Sequence, residues 1–502
     1  MTTTFNQRAV SITLNGMPIA AKLAQVVSQI VVRQELAAPS LAEIDFAAPE
    51  DAEVAQLSIG APLSLRVGKD GENLFDGEIT CISFLYSAGH VMVVRVRAYD
   101  KLQRLRKSFR PRLLENLTAA TLGAGLASEL GLTSTCYGQP PSRCALIQHE
   151  QSDFDLLADL AADAGLYPFL DGQQLVLTGL DGFGEAVDLR LGADLYEFSA
   201  SISNDWNARG TTVRGWNTVT SASFSDTVTT SRQDSYEMRD VSPNEGAEGY
   251  RLLFNRTPEN SAEASALAAA DFDRTAARST EVHGASYGNA KLAPGRPVVI
   301  SGVAEKVAGR YVLSSAVHRI TVRDGYVTQF STEPPTRRPR PRAPLATLGV
   351  VADTTDPERQ GRCRVTLPAL GESATLWMQV MIAGAGEDKG LAAFPEAGDQ
   401  VLVLCPDGDA AHGIVLGSLY GEARLPRGFR DERPRPFILR TSNGQRLELS
   451  STTNTVRLAT AHGSLLELMP GQARLATATD LIIEAPGKTI TFRANFVNFE
   501  RT

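Results

Sequence analysis

Phe394-Pro-Glu-Ala-Gly-Asp-Gln-Val-Leu-Val403 and, shortly after it, Asp407-Gly-Asp-Ala-Ala-His-Gly-Ile-Val-Leu-Gly417 are the stretches on which the fold turns. In each, a polar turn containing glycine leads into a short aliphatic run. Gly398 and Gly408 sit where a tight turn needs a residue without Cβ, and Val401, Leu402 and Val403 read as a buried strand. Upstream, Gln360-Gly-Arg-Cys-Arg-Val365 and Leu376-Trp-Met-Gln-Val380 add two more strand-sized runs. Together they predict a compact, strand-rich domain over residues 346–424, with glycine marking its turns.

Two Pro/Arg-rich stretches bound that domain. They are Glu333-Pro-Pro-Thr-Arg-Arg-Pro-Arg-Pro-Arg-Ala-Pro344 and Leu425-Pro-Arg-Gly-Phe-Arg-Asp-Glu-Arg-Pro-Arg-Pro436. Proline fixes φ and removes a backbone donor, so residues 336–345 and 425–436 read as extended linkers. Arg337, Arg338, Arg340 and Arg342 carry the charge a phosphate site would need, but the bland reading, a solvated linker, is preferred.

Residues 1–335 mix short strands with a few helices. Asp76-Gly-Glu-Ile-Thr-Cys-Ile-Ser-Phe-Leu-Tyr86 alternates like a strand, and Val91-Met-Val-Val-Arg-Val-Arg-Ala-Tyr99 follows Gly89, which predicts a hairpin. Thr118 to Leu130 reads as a helix stopped by Gly131. A second helix over 152–163 has Ser152 as its cap, Asp153 and Asp155 at its positive end, and Gly165 as its stop. It places Phe154, Leu157, Ala161 and Ala164 on one face. An alanine-rich third helix is expected over about 261–277.

From Phe437 to Thr502 the texture changes again, to short alternating runs with almost no helical signal. The apolar positions are Leu447 and Leu449, Val456 and Leu458, Leu466 and Leu468, Leu481 and Ile483, Ile490 and Phe492. Steps of nine residues recur (447 to 456, 449 to 458, 483 to 492), a strand-and-turn pattern of the β-solenoid type. Strict alternation puts Leu481 and Ile483 inside and Ile482 outside. These 66 residues are too few for one chain to enclose a core, so several copies wound together are expected to bury the inward side chains and pair the strand edges. The pattern does not fix the number of chains.

Composition narrows the function. With 43% hydrophobic and 21% charged residues, the 502-residue chain is a folded, multidomain protein. A net charge of −8 argues against a general nucleic-acid binder. Met1 to Val10 lacks the basic and apolar run of a signal peptide, and no apolar stretch reaches bilayer length, so assembly in the cytoplasm is expected. Cys81, Cys136, Cys144, Cys363 and Cys405 include no C-x-x-C pair and suit reduced, mostly buried thiols.

Phe75-Asp-Gly-Glu-Ile-Thr80, Val96-Arg-Ala-Tyr-Asp-Lys-Leu-Gln-Arg-Leu105, Gln151-Ser-Asp-Phe-Asp-Leu-Leu-Ala-Asp-Leu160 and Leu292-Ala-Pro-Gly-Arg-Pro-Val-Val-Ile300, followed by Gly309-Arg-Tyr-Val312 and His318, occur in that order. In this order they resemble the hub domains of VgrG-like spikes and phage late-control D proteins. The second segment resembles the OB-fold domain of the same spikes, through Gly361 and Arg362 of the Gly-Arg-Val-type strand, Trp377, Pro395, Gly398, Gly408 and Gly417. The third resembles their intertwined triple-stranded β-helix needle. The resemblance implies a mainly β fold with some α: α+β hub domains over 1–335, an OB barrel over 346–424 and a needle over 437–502. It implies a homotrimeric structural spike without enzymatic activity or cofactor in a contractile, phage-tail-like injection particle. Its expected partners are the inner tube, baseplate proteins, a PAAR-like tip protein and the target cell envelope, and its expected final place is an extracellular or cell-associated particle. Relatives with a lysozyme-like insert or C-terminal toxin differ from this chain, which has a short linker and ends at Thr502.

Several constellations suggest chemistry and are set aside. Gly284-Ala-Ser-Tyr-Gly288 matches G-x-S-x-G with His283 adjacent, which would suit a cell-wall hydrolase carried on a spike scaffold, the alternative reading. That motif needs a strand before it and a helix after it, whereas Lys291-Leu-Ala-Pro-Gly295 breaks a helix, so Ser286 is assigned to a turn. Asp407, Asp409 and His412 offer oxygen and imidazole donors, but nothing supplies the remaining metal ligands. His318, in an alternating run, reads as a hydrogen-bonded sheet histidine, and His462 lacks a His partner for an iron-type tip site. Trp377 and Phe394 are the only obvious aromatics of the barrel, and its aspartates oppose nucleic-acid binding.

Overall fold

The computed structural model describes residues 10–501 except 69, 89–91, 149, 204, 206–207, 218–221, 233–248, 254–257, 259, 337–343, 371–374, 407–411 and 422–434. Most of both Pro/Arg stretches, and Gly408 with Asp407 and Asp409, therefore lie outside the described residues. The chain divides into a unit ending at Ser418 and a unit beginning at Leu419.

The first unit is organised by an eleven-stranded antiparallel sheet. Its order is Leu195–Ile202, Thr280–Tyr287, Gly325–Ser331, Ser315–Thr321, Val27–Glu35, Leu41–Ala47, Met92–Tyr99, Glu72–Tyr86, Pro62–Val67, Val10–Leu14 and Met17–Pro18. The anticipated hairpin is present as Glu72–Tyr86 against Met92–Tyr99, with a register shift between Ile79 and Cys81. Its inward residues alternate with polar ones: Ile79, Val94, Val96 and Ala98 are buried beside Ile30, Ile44, Phe46 and Leu65. Each such large aliphatic or aromatic side chain contributes about 1.5–3 kcal/mol when withdrawn from water. The sheet is continuous because Ser315–Thr321 pairs with Val27–Glu35, His318 lying opposite Val32.

Helices Ala119–Glu129, Asp153–Asp163 and Ser261–Ser279 each begin at a side-chain cap, of which the sequence reading named Ser152 alone. Thr118 accepts from the Thr121 amide, Ser152 from Asp155 and Asn260 from Glu263. Phe154, Leu157 and Ala161 are buried against Leu175 and Leu177. At the start of the second helix, the buried Asp153 carboxylate accepts from Arg112 at 3.1 Å, from Gln148 Nε2 at 2.8 Å and from Arg110. Arg112 and Gln148 belong to the hairpin of Arg112–Leu117 with Arg143–Gln148. The other side of this hairpin brings Leu113, Ala145 and Ile147 onto the core of the following barrel. Hub and barrel thus share one packed core, although a proline-rich segment separates them in sequence.

Leu345–Asp353, Cys363–Thr366, Thr375–Val380, Ile414–Leu419 and Gln400–Cys405 close, in that order, into a five-stranded barrel. Leu345–Asp353 is antiparallel to Cys363–Thr366 and to Gln400–Cys405, and Thr375–Val380 runs parallel to Ile414–Leu419, an OB arrangement. Leu345 belongs to the first strand rather than to the linker. Val401 and Val403 are fully buried, whereas Leu402 faces outward and is half-buried; a barrel wall has one inner face, so the expected continuous buried strand is an alternating one.

In the second unit Phe437–Arg440, Arg446–Ser450, Thr455–Ala459, Leu465–Met469 and Gln472–Ala476 form an antiparallel five-stranded meander. Leu447 pairs with Leu458, and Leu449 with Val456. The nine-residue step therefore reflects strand-plus-turn length in a meander, not a solenoid coil within one chain. Residues 477–501 carry no strand among the described residues, so Leu481, Ile483, Ile490 and Phe492 lie outside any sheet in the single chain.

Candidate assembly surfaces

Antiparallel register places the apolar residues of the C-terminal sheet on one face in two rows. One row is Leu439, Leu447, Leu458, Leu466 and Leu475; the other is Phe437, Leu449, Val456, Leu468 and Ala473. The opposite face carries Ile438, Glu448, Arg457, Glu467 and Arg474 across the same five strands, its charges alternating in sign between neighbours. Directly opposed opposite charges support the pairing, while the apolar rows remain largely exposed among the described residues. Leu458 is 54% exposed, Leu468 46% and Leu475 57%.

All six sheet residues anticipated as needle core, Leu447, Leu449, Val456, Leu458, Leu466 and Leu468, fall on this face. Phe437, Leu439 and Leu475 belong to it too and escaped the sequence reading. Their signal was present, as Phe437-Ile-Leu439 alternates immediately after Pro436. Beyond the sheet, Leu481, Ile482 and Ile483 are exposed alike, so the single chain does not separate an inner from an outer side there. Ile490, Phe492, Phe496 and Phe499 are exposed as well. The two adjacent apolar rows of the sheet are a surface of the kind that marks an interaction site.

Of the barrel residues singled out in the sequence, Gly361, Arg362 and Trp377 lie around the loop of Asp356. Asp356 accepts from the Gln360 amide at 2.7 Å, the Arg362 amide at 3.2 Å and the Arg362 guanidinium at 2.8 Å. That guanidinium holds the Asp356 carboxyl well below the usual carboxylate range. The same guanidinium lies 6.0 Å from the Trp377 ring centroid. Gly361 (φ +73°) turns the chain beneath Phe394, and Gly398 (φ +92°) turns it after the buried Pro395. Gly417 lies on the exposed end of the last barrel strand. The Asp356 carboxylate thus ties the two ends of its loop together through backbone and guanidinium donors.

Ser286 is buried inside strand Thr280–Tyr287, not in a turn as expected, and its hydroxyl donates to the Tyr287 carbonyl at 3.0 Å. His283 is exposed on the other face of that strand, so the two side chains do not meet. His318 is fully buried, its Nδ1 3.0 Å from the Tyr326 hydroxyl and 3.2 Å from Thr328 Oγ1. Burial pushes its pKa down to about 4, so the ring is neutral. No group of three His, Cys, Asp or Glu side chains placed to hold a metal occurs among the described residues. No disulfide joins the five cysteines, but only Cys363 and Cys405 are buried; Cys81 and Cys136 are half-buried and Cys144 is exposed, a correction to the expectation that most are interior.

Residues 33–325 match the phage tail baseplate hub (GPD) family, and residues 347–420 match the type VI secretion system/phage-baseplate injector OB domain. No curated protein sequence matches the chain. Among solved structures, the VgrG of the Francisella PdpA-VgrG complex, half-lidded, is 8% identical, covering 94% of this chain and 88% of its own at a TM-score of 0.56. The E. coli c3393 protein, a type VI secretion component described as similar to the T4 bacteriophage tail proteins gp27 and gp5, is 13% identical. It covers 81% of this chain and 99% of its own, at a TM-score of 0.51. The 43 kDa tail protein of prophage MuSo2 from Shewanella oneidensis is 15% identical, covering 64% of this chain and 97% of its own at a TM-score of 0.50. At these identities the likeness is one of fold.

Proposed function

The chain belongs to the phage tail baseplate hub family and is a hub or spike component of a phage-tail-like or type VI-like injection system, and from that premise we propose that it works as the homotrimeric central spike of a contractile particle. The observation that carries this reading is the C-terminal sheet, apolar on one face, charged on the other, and uncovered on the apolar one. A lone five-stranded sheet in water does not retain such a face, and further copies of the same chain offer an identical surface to cover it. In the trimer the two apolar rows turn towards a common axis, and the exposed residues from Leu481 to Phe499 wind with their counterparts into an intertwined β-helix. There each chain supplies the strand neighbours that it lacks alone.

The work assigned to this assembly is mechanical. Its hub domains join the inner tube to the baseplate, the barrel sits at the base of the needle, and the needle carries a PAAR-like tip through a target envelope when a sheath contracts. The Francisella relative is seen in complex with PdpA, and membership of an assembly of that kind is part of the proposal. So is its route, from assembly in the cytoplasm to an extracellular or cell-associated particle. No cofactor or nucleic acid has a part in it. The test is the mass in solution: three times the 53.8 kDa chain, about 160 kDa, is expected by light scattering. A stable monomer at micromolar concentration refutes the reading.

A further inference from the structure

Register lines up five polar side chains across one face of the eleven-stranded sheet. Ser199 stands opposite His283, His283 opposite Ser331, Ser331 opposite Ser315, and Ser315 opposite Glu35. Neighbouring strands lie about 4.8 Å apart, so the row is roughly 19 Å long. It floors two cavities, of about 310 and 910 Å³, which share His283, Ser315 and Ser331 and so form one groove. Five carboxylates, Glu35, Asp155, Asp159, Glu197 and Glu333, are spread along it. Among the described residues its one guanidinium is that of Arg106, which lies 5.2 Å from the centre of the Phe154 ring. At the Glu197 end, a bulge between Leu195 and Glu197 adds Tyr196 to the strand, and Tyr196 and Glu197 are both exposed. The rings of Tyr196 and Tyr287 have centroids 5.8 Å apart, yet the two residues remain 47% and 65% exposed. Burial, with the Glu197 and Asp324 carboxylates nearby, pushes the Tyr196 hydroxyl pKa up, so the aromatic pair stands in a negative field.

We propose that this groove docks an extended, basic peptide segment of a partner protein. Three observations select that chemistry. The groove's length matches about six residues of extended chain, and its hydroxyl-lined floor offers hydrogen bonds to a peptide backbone. Its carboxylates are spaced along the groove, and no three are placed to hold a metal ion among the described residues, so they suit a series of cationic side chains and repel an anionic ligand. The exposed tyrosine pair beside Glu197 presents ring faces to a guanidinium or ammonium group, whose charge the carboxylate balances. The bulge that turns Tyr196 and Glu197 outward together is the device that builds this end of the site. All of these residues belong to one chain, so the inference does not rest on the number of copies in the assembly.

The test uses the full chain with fluorescein-labelled hexa-arginine and hexaglutamate peptides, followed by fluorescence polarisation at low ionic strength. Hexa-arginine is expected to bind and hexaglutamate not to. The double variant Glu35→Gln/Glu197→Gln is expected to weaken hexa-arginine roughly ten-fold, and Tyr287→Ala about three-fold. Asp188→Asn/Glu115→Gln removes the same charge from exposed positions outside the groove and is expected to leave binding unchanged. Equal losses in the two double variants show attraction to the net charge of −8 alone and overturn the site; so does a failure of hexa-arginine to bind. Binding that appears only after Arg337, Arg338, Arg340 and Arg342 are all changed to serine assigns the groove to the chain's own linker and overturns the partner. Light scattering on the same samples keeps the readings apart, since a monomer with intact, groove-dependent binding refutes the trimer and leaves the docking site standing.

Discussion

Leu458 occupies the centre of the all-leucine row, on the middle strand of the C-terminal sheet, with Leu447 and Leu466 directly opposite it. Truncating a packed leucine to alanine costs about 2–5 kcal/mol. Since 54% of Leu458 is exposed in the single chain, about half of that, on the order of 1–2 kcal/mol per copy, is lost from the assembly rather than from the chain. Each substitution occurs three times in a trimer, so Leu458→Ala removes about 3–6 kcal/mol from association, a dissociation constant raised by roughly 10²–10⁴. Arg474→Ala, on the charged face of the same sheet, is the control and is expected to change stability by no more than about 0.5 kcal/mol. Light scattering across a dilution series reads both, and the far-ultraviolet spectrum verifies that the hub and barrel remain folded. If Leu458→Ala dissociates no more readily than Arg474→Ala, the apolar face is not the contact and the reasoning from exposure to assembly fails.

Other outcomes follow from the first unit. Ser286→Ala is expected to leave assembly and injection intact, because the hydroxyl serves only neighbouring carbonyls; loss of injection with a normal mass would revive a hydrolytic role. The His318 pKa is about 4 in the fold against about 6.5 unfolded. Its contribution to stability is therefore complete above about pH 6.5 and falls as the pH drops through 4, by about 3 kcal/mol in all. Denaturant titrations at pH 7 and pH 4.5 should show a smaller drop for His318→Gln than for the wild type, and equal drops would contradict the assignment. A Cβ at Gly77 would lie 2.2 Å from the Tyr99 carbonyl oxygen, so Gly77→Ala should force the long hairpin apart and cost on the order of 2 kcal/mol or more in thermal unfolding; an unchanged melting temperature would argue against that close approach.

Features that depend on neighbours in sequence were legible without coordinates. Thr118, Ser152 and Asn260 act on amides three residues away, so the caps of the main helices are written locally. The hairpin ending at Tyr99 and the barrel strands around Val365 and Val403 show themselves by alternation, and the apolar rows of the C-terminal sheet were marked by Leu447 to Leu468. Alternation with a period of two states which face a residue occupies but not which strand lies beside it. Hence only the tertiary structure decided that Ser315–Thr321 completes a sheet begun at Val27–Glu35, that Ser286 lies within a strand, and that Leu447 meets Leu458 rather than repeating at Val456. For the same reason it decided that the hub hairpin at Ile147 joins the barrel core across a proline-rich boundary. Strand partners are chosen by long-range packing and by where the backbone donors find acceptors, neither of which a short window of sequence contains.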